Sequence, residues 1–306
     1  MVDNPNEVLN AVVPAAGLGT RFLPFTRIVP KELLPLGNRP CVDYVVTEAA
    51  GAGLNDILFV TRPGKEAILE YFQPDPELEE IVSGAPQEEN LRALRSRIEG
   101  VSIDEVNQVN PAGLGHAVAQ AADHVGDKPF AVLLPDDLVP ENEDLLAQMV
   151  AVRNELGGSV IAAIRVTPEE ATAYGSIGYE PASLPGIREG NLIRVTELVE
   201  KPPLEDVLSE YAVAGRYVLD PAVFDVLETI PPGRGGEVQL TDALAELARM
   251  DPSAGGGLHA VVYEGPRYDT GTPLGYLSAH LQIALDDPES KQNVEDLMRS
   301  LLESSN

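Results

Sequence analysis

The chain has 306 residues, 44% hydrophobic and 23% charged, enough apolar material for a substantial core and, at about 150 residues each, for about two domains. Its 49 Asp and Glu against 21 Lys and Arg give a net charge of −28, which argues against a nucleic-acid groove or an anionic membrane surface as partner. Cys41 is the single cysteine, which excludes an internal disulfide and a thiolate metal cluster.

Taken in order, the apolar run 8–13 predicts a buried strand that empties into a loop of small residues. A helix follows over 40–52, closed by Gly53, then a second buried strand over 56–61 and a short helix over 63–72. From 74 to 100 the chain turns strongly charged, with Glu77, Glu79, Glu80, Glu88 and Glu89 before Arg92, Arg95 and Arg97; this predicts a solvated helical insertion with no catalytic role. A weaker strand is expected over 101–106, a helix over 115–125, and a clear buried strand over 129–134. Next come a helix over 144–156, a strand over 159–166, and three strands over 174–180, 192–200 and 211–219. Helices over 222–229 and 240–250, a late strand over 258–263 and helices over 273–285 and 290–302 complete the chain. Alternating strands and helices imply a mostly parallel sheet covered on both faces, and the consecutive middle strands imply a mixed sheet with a smaller β-rich lobe. No basic-then-apolar leader precedes Val8 and no apolar run approaches the ~18 residues a bilayer needs, so a soluble cytoplasmic protein is expected.

In such sheets ligands bind beyond the carboxyl ends of the strands, and the chemically suggestive residues lie there. After the first strand, Ala15, Ala16, Gly17 and Gly19 have little or no side chain to hold a ligand away, so their N–H groups can meet a polyphosphate directly. Arg21 adds a planar fork for phosphate oxygens and Lys31 a point charge. The loop is neither a P-loop nor a dinucleotide fingerprint, for it lacks both Gly-Lys-Ser/Thr and a third glycine. In a chain this acidic, two phosphate-bearing substrates require locally gathered cations and a divalent metal. Asp136, in Pro135-Asp136-Asp137 after the buried strand, is either a cap for the next turn or a metal ligand, and Asp137 competes with it. Asp269, in Tyr268-Asp269-Thr270-Gly271, is the second candidate carboxylate. Glu200-Lys201-Pro202 ends another strand, and Tyr174-Gly175 reads equally as a plain turn. Gln108 with Gly113-Leu114-Gly115-His116 is the candidate base-binding segment; a Gln can give one hydrogen bond to an amide-like edge and take one, and His116 supports the loop. None of the four histidines has zinc-helix spacing, and no serine sits in a nucleophile elbow.

The opening Val12-Val13-Pro14-Ala15-Ala16-Gly17-Leu18-Gly19-Thr20-Arg21 with Pro30-Lys31-Glu32-Leu33-Leu34-Pro35 resembles the signature of the sugar-1-phosphate nucleotidylyltransferases, most of all the bacterial enzymes that use UTP and glucose-1-phosphate. Gly215-Arg216-Tyr217 and Glu237-Val238-Gln239-Leu240-Thr241-Asp242 match the same group, and the resemblance runs from Val12 to about Tyr276. It implies a Rossmann-like three-layer α/β/α nucleotidyltransferase fold with a mixed, mostly parallel sheet and a smaller β-rich sugar-binding lobe. Residues 1–286 would form the nucleotidyltransferase domain, with a nucleotide part over about 1–140, a sugar-phosphate part over about 141–270 and the insertion over about 74–100; 287–306 would be a C-terminal helix. The resemblance assigns Arg21, Lys31 and Lys201 to catalysis, and Ala15, Ala16, Gly17, Gly19, Thr20, Glu32, Gln108, Gly113 and Gly115 to the nucleotide. It assigns Gly175, Glu200, Lys201 and Val213 to the sugar phosphate, and Asp136 and Asp269 to Mg2+. It further implies a homodimer or homotetramer. The sequence departs from the pattern at Phe25, Arg27, Asn107 and Ala112, which bears on nucleotide choice: dTTP or another nucleotide in place of UTP, or binding without turnover, are the alternatives.

Overall fold

The computed structural model describes residues 7–304; the expected domain ends at 1–6 and 305–306 lie outside the described residues. Nine strands form one sheet: β1 (Asn10–Pro14), β2 (Asp56–Thr61), β3 (Ser102–Asn107), β4 (Phe130–Leu133), β5 (Ser159–Arg165), β6 (Gly175–Pro181), β7 (Leu192–Glu200), β8 (Tyr211–Leu219) and β9 (Leu258–Val262). Their spatial order is 3-2-1-4-8-5-9-7-6. Pairings 3-2, 2-1, 1-4 and 5-9 are parallel, whereas β8 runs against β4 and β5, and β7 against β9 and β6. Only β7 and β8 are therefore reversed, and the sheet is mixed but mostly parallel, as expected. The middle strands extend this same sheet. β6 forms its outer edge and also touches β8 at Ala212↔Ser176, which folds that edge over the sheet.

Period-two alternation explains why both faces are covered. In β1, Ala11 and Val13 enter one core while Val12 enters the other; in β2, Ile57 and Phe59 split from Leu58 and Val60 in the same way. Helices α1 (Cys41–Gly51) and α2 (Leu145–Leu156) cover the first face, and α3 (Leu114–Ala119), α4 (Ala222–Thr229) and α5 (Leu240–Arg249) the second. The charged insertion holds helices Pro76–Val82 and Glu88–Arg97, and Arg97 anchors it by a 2.7 Å bond to the fully buried Asp43 of α1.

Two expected helices are shorter than their patterns. The one expected over 63–72 is reduced to Ala67–Glu70, because Gly64 takes φ +93° and Lys65 N–H closes a turn on Arg62 O. The one expected over 115–125 divides into α3 and Ala122–Val125. No helix among the described residues is long and apolar enough to cross a membrane.

Candidate active site

The cleft lies past the carboxyl ends of β1 and β4. Gly19 adopts φ +61°, and a side chain there would begin 3.2 Å from Lys31 Cβ and 3.1 Å from Thr26, so the turn needs glycine twice over. Thr26 Oγ1 donates to Gly19 O at 2.8 Å and closes the loop. Ala16, Gly17, Gly19, Thr20 and Lys31 line one half of the cleft, with Gln108 and Gly113 opposite. Gln108 is 3% exposed, and its amide nitrogen lies 2.7 Å from His116 Nδ1, so His116 orients the amide as expected of a supporting residue.

The second half holds Tyr174, Gly175, Glu200, Lys201, Val213 and Thr241. Asp136 and Leu134 belong to both halves. At this junction Lys31 Nζ meets Asp136 Oδ2 at 2.5 Å. Burial disfavours both charges, but each partner outweighs it: Asp136, with Glu32, holds Lys31 above the ordinary lysine pKa, and Lys31 holds Asp136 below the ordinary carboxylate value. A side chain on Gly271 would begin 3.1 Å from Asp269 Oδ1, 3.3 Å from Asp136 Oδ2 and 3.6 Å from Arg21 Nη1; Arg21 also donates to Gly271 O at 3.2 Å. The missing Cβ thus leaves room between two converging carboxylates and one guanidinium, the donor set and space that a divalent cation beside phosphates requires.

Asp137 is separated from Asp136 by its partners. It is buried, and its two oxygens accept from Gly215 N–H at 2.7 Å and from Arg267 Nε at 2.5 Å. Gly215 fits only as glycine, since a Cβ there would lie 2.8 Å from Asp137 Cβ. The three metal-capable groups Asp56, Asp104 and His124 cluster at the other end, beside the start of β2, and take no part in the cleft.

In the second half, Glu200 accepts from Thr241 Oγ1 at 2.7 Å and pairs with Lys201 Nζ at 2.8 Å. Lys201 is the one non-glycine with positive φ among the described residues, +45°, a strained conformation. Its N–H bonds Tyr174 O at 2.9 Å and its carbonyl accepts from Arg234 Nη1. Gly175 lies against Val213 and Thr241, 3.1 and 3.2 Å from where its Cβ would be.

Three residues expected at the nucleotide do not line the cleft. Ala15 is fully buried, its N–H on Val60 O at 2.8 Å. Glu32 is 1% exposed, and both its oxygens accept from Lys65 Nζ, at 2.8 and 3.0 Å. Gly115 donates to Val238 O at 2.9 Å, and a Cβ there would strike Leu227 at 2.8 Å, so its small size serves packing. Gly113 keeps its place at the cleft but packs on Glu237 and Val238 in the same way. Arg216 faces away from the cleft: it is 1% exposed, chelated by Glu48 at 2.7 and 2.8 Å, and donates to Leu134 O at 3.2 Å. Sequence reasoning missed Lys65, the Thr241 contact to Glu200 and Arg267; the Thr inside the Leu-Thr-Asp block was the only local signal. Burial pushes the Cys41 thiol up to about 11, so no thiolate nucleophile stands near the site.

The sequence model of the nucleotidyl transferase family matches residues 10–285. The UTP–glucose-1-phosphate uridylyltransferase YngB of Bacillus subtilis is 41% identical over 94% of this chain and 93% of its own. A UTP-bound UGPase from Acinetobacter baumannii superposes with a TM-score of 0.82 at 36% identity, over 96% of this chain and all of the other. A UDP-glucose pyrophosphorylase in complex with UDP-glucose gives 0.80 at 34% identity, over 92% of this chain and all of the other. The family match over residues 10–285 and relatives at this identity along nearly the whole chain make it a member of the nucleotidyl transferase family, among relatives that are UTP–glucose-1-phosphate uridylyltransferases.

Proposed function

We propose that the protein joins UTP and glucose-1-phosphate to give UDP-glucose and pyrophosphate. The observation that carries this reading is the junction: two half-clefts, one floored by the small-residue loop and one rich in polar side chains, meet at Asp136 with Lys31, Arg21 and Asp269 around it. The relatives named for this reaction, and the neighbours holding UTP and UDP-glucose, support the choice of substrates.

In this reading a phosphate oxygen of glucose-1-phosphate attacks the α-phosphorus of UTP in line. A P–O bond forms there as the bond to the β-phosphate breaks, and pyrophosphate leaves. The attacking oxygen is already anionic, so the protein supplies position and charge stabilisation in place of a base or a covalent nucleophile. The loop N–H groups and Arg21 hold the triphosphate. The Gln108 amide nitrogen is engaged by His116, which leaves its oxygen for the uracil edge. Glu200, fixed by Thr241, accepts sugar hydroxyls, and Lys201 neutralises the sugar phosphate. Mg2+ fits Asp136 and Asp269; when bound there it neutralises charge at the transferred phosphate. The same reading divides the chain into a nucleotidyltransferase domain over 1–286 and a C-terminal helix over 287–306. It also includes a homodimer or homotetramer and a cytoplasmic location; the free, buried Cys41 is compatible with the latter.

A pyrophosphate-release panel tests it: UTP, dTTP, CTP, GTP and ATP with glucose-1-phosphate, then galactose-1-phosphate in its place. UTP with glucose-1-phosphate should be fastest. A faster dTTP reaction reassigns the nucleotide. Thermal stabilisation by UDP-glucose without turnover makes the protein a non-catalytic binder.

A further inference from the structure

Lys65 is 7% exposed and lies directly beneath the small-residue loop. Its ammonium has three hydrogen bonds to give, and three are made: to Ala15 O at 2.5 Å and to Glu32 Oε2 and Oε1 at 2.8 and 3.0 Å. Nothing remains for a substrate, so Lys65 is not a phosphate-binding lysine. A buried ion pair is also a poor source of stability, since apolar replacements of similar volume often do as well.

Its geometry gives it another use. In a trans peptide the C=O and the following N–H point in opposite directions. Lys65 draws Ala15 O into the protein, so the Ala16 N–H is turned outward, toward the cleft that Ala16 lines. Ala15 N–H is pinned on Val60 O, which fixes the same segment from its other end. Among the described residues no acceptor meets the N–H of Ala16, Gly17 or Leu18. A buried N–H without a partner is rare, and Ala16 is 3% exposed, so its N–H is set for a ligand, whereas Gly17 and Leu18 lie open at the cleft. The other arm of Lys65 reaches the turn Lys31–Leu33, where Glu32 sits beside the lysine paired with Asp136.

We infer that Lys65 and Glu32 are positioning residues for the nucleoside triphosphate: the pair aims the Ala16 N–H at the nucleotide and sets the loop against Lys31. This rests on the functional reading above. Removing the pair frees the Ala15–Ala16 peptide to rotate and lets the loop drift from the junction, which weakens UTP and leaves glucose-1-phosphate, bound across the cleft, largely untouched.

Lys65→Met leaves Glu32 buried without a counter-charge and should lower both the melting temperature and kcat/KM for UTP. Glu32→Gln with Lys65→Met restores charge balance, so the melting temperature should return toward wild type. kcat/KM for UTP should nevertheless stay about 100-fold low, the order expected for a displaced contact, with KM for glucose-1-phosphate within about threefold of wild type. Lys65→Arg, which keeps the charge and its donors, should recover part of the loss. A stable double variant with wild-type KM for UTP, or an equal rise in both KM values, overturns the inference. Calorimetric titration of UTP into the same variants separates the two claims: a wild type that binds UTP without turnover defeats the functional reading, and the UTP affinities of the variants then decide this one.

Discussion

Small residues with accessible main chain floor the loop side of the cleft, and polar side chains dominate the strand-end side. On the loop side, Ala16, Gly17 and Gly19 offer N–H groups, and the cations beneath and beside them are locked into pairs, Lys65 with Glu32 and Lys31 with Asp136. On the strand-end side the acceptor is the Glu200 carboxylate, and Lys201 is 48% exposed on its side chain and held by a strained backbone turn. A polyphosphate with many equivalent oxygens suits a fixed row of donors. A sugar, whose hydroxyls differ in direction, suits a carboxylate oriented by a hydroxyl, here Thr241. In the proposed reading, Arg21 and Lys31 set positive charge against the strong negative charge of the chain where the halves meet, beside the two carboxylates, Asp136 and Asp269, that would hold Mg2+.

The largest effects should come from breaking that meeting point. Asp136→Asn is expected to lower kcat about 10³-fold and to flatten the dependence of rate on added magnesium; a magnesium titration like that of wild type would remove Asp136 as the ligand. Arg21→Ala should lower kcat about 10²-fold with an unchanged circular dichroism spectrum, since among the described residues its hydrogen bonding goes to Gly271 O alone. Wild-type turnover would take Arg21 out of the mechanism. Asp137→Asn sharpens the contrast between adjacent carboxylates. It leaves Arg267 without its counter-charge and should cost about 3 kcal/mol of stability in urea unfolding, with the magnesium dependence retained.

The smallest expected effect lies far from the cleft. Burial first, then Arg194 on the neighbouring strand, holds His259 below its ordinary pKa of 6.5, and its Nδ1 is buried without a partner among the described residues. The unfolded chain therefore takes a proton that the folded chain refuses. The contribution is fully present above about pH 6.5 and is lost as pH falls toward the lower folded value. Unfolding free energies from urea denaturation between pH 7.5 and 5 should decline less steeply in His259→Gln, by under about 1 kcal/mol; an identical slope would show that the imidazole is not depressed.

Much of this was legible because β1 and β4 are unbroken apolar runs, and residues just beyond such strands face the cleft of a parallel sheet. Gly17, Arg21 and Lys31, on the segment after β1, and Asp136, after β4, follow that rule; Lys201 instead follows the reversed strand β7. What stayed hidden depends on pairing between distant segments. Lys65 lies in the segment 63–72, where no local signal marks it; only the parallel register Val13↔Phe59 and Pro14↔Val60 brings it under the loop. Glu32 reads as a ligand because it adjoins Lys31, yet consecutive residues of a tight turn point apart, and it turns inward. Gly115 reads as room for a base, but the room is taken by Val238, more than a hundred residues later. Arg216 alternates with Gly215 and Tyr217, and the strand period sends it to the opposite face.

The division of labour between the two sides is tested most directly by Lys201→Ala with both substrates varied. KM for glucose-1-phosphate should rise by about tenfold or more while KM for UTP stays within about twofold. A rise in KM for UTP alone, or an equal rise in both, would contradict a cleft in which each side holds its own substrate.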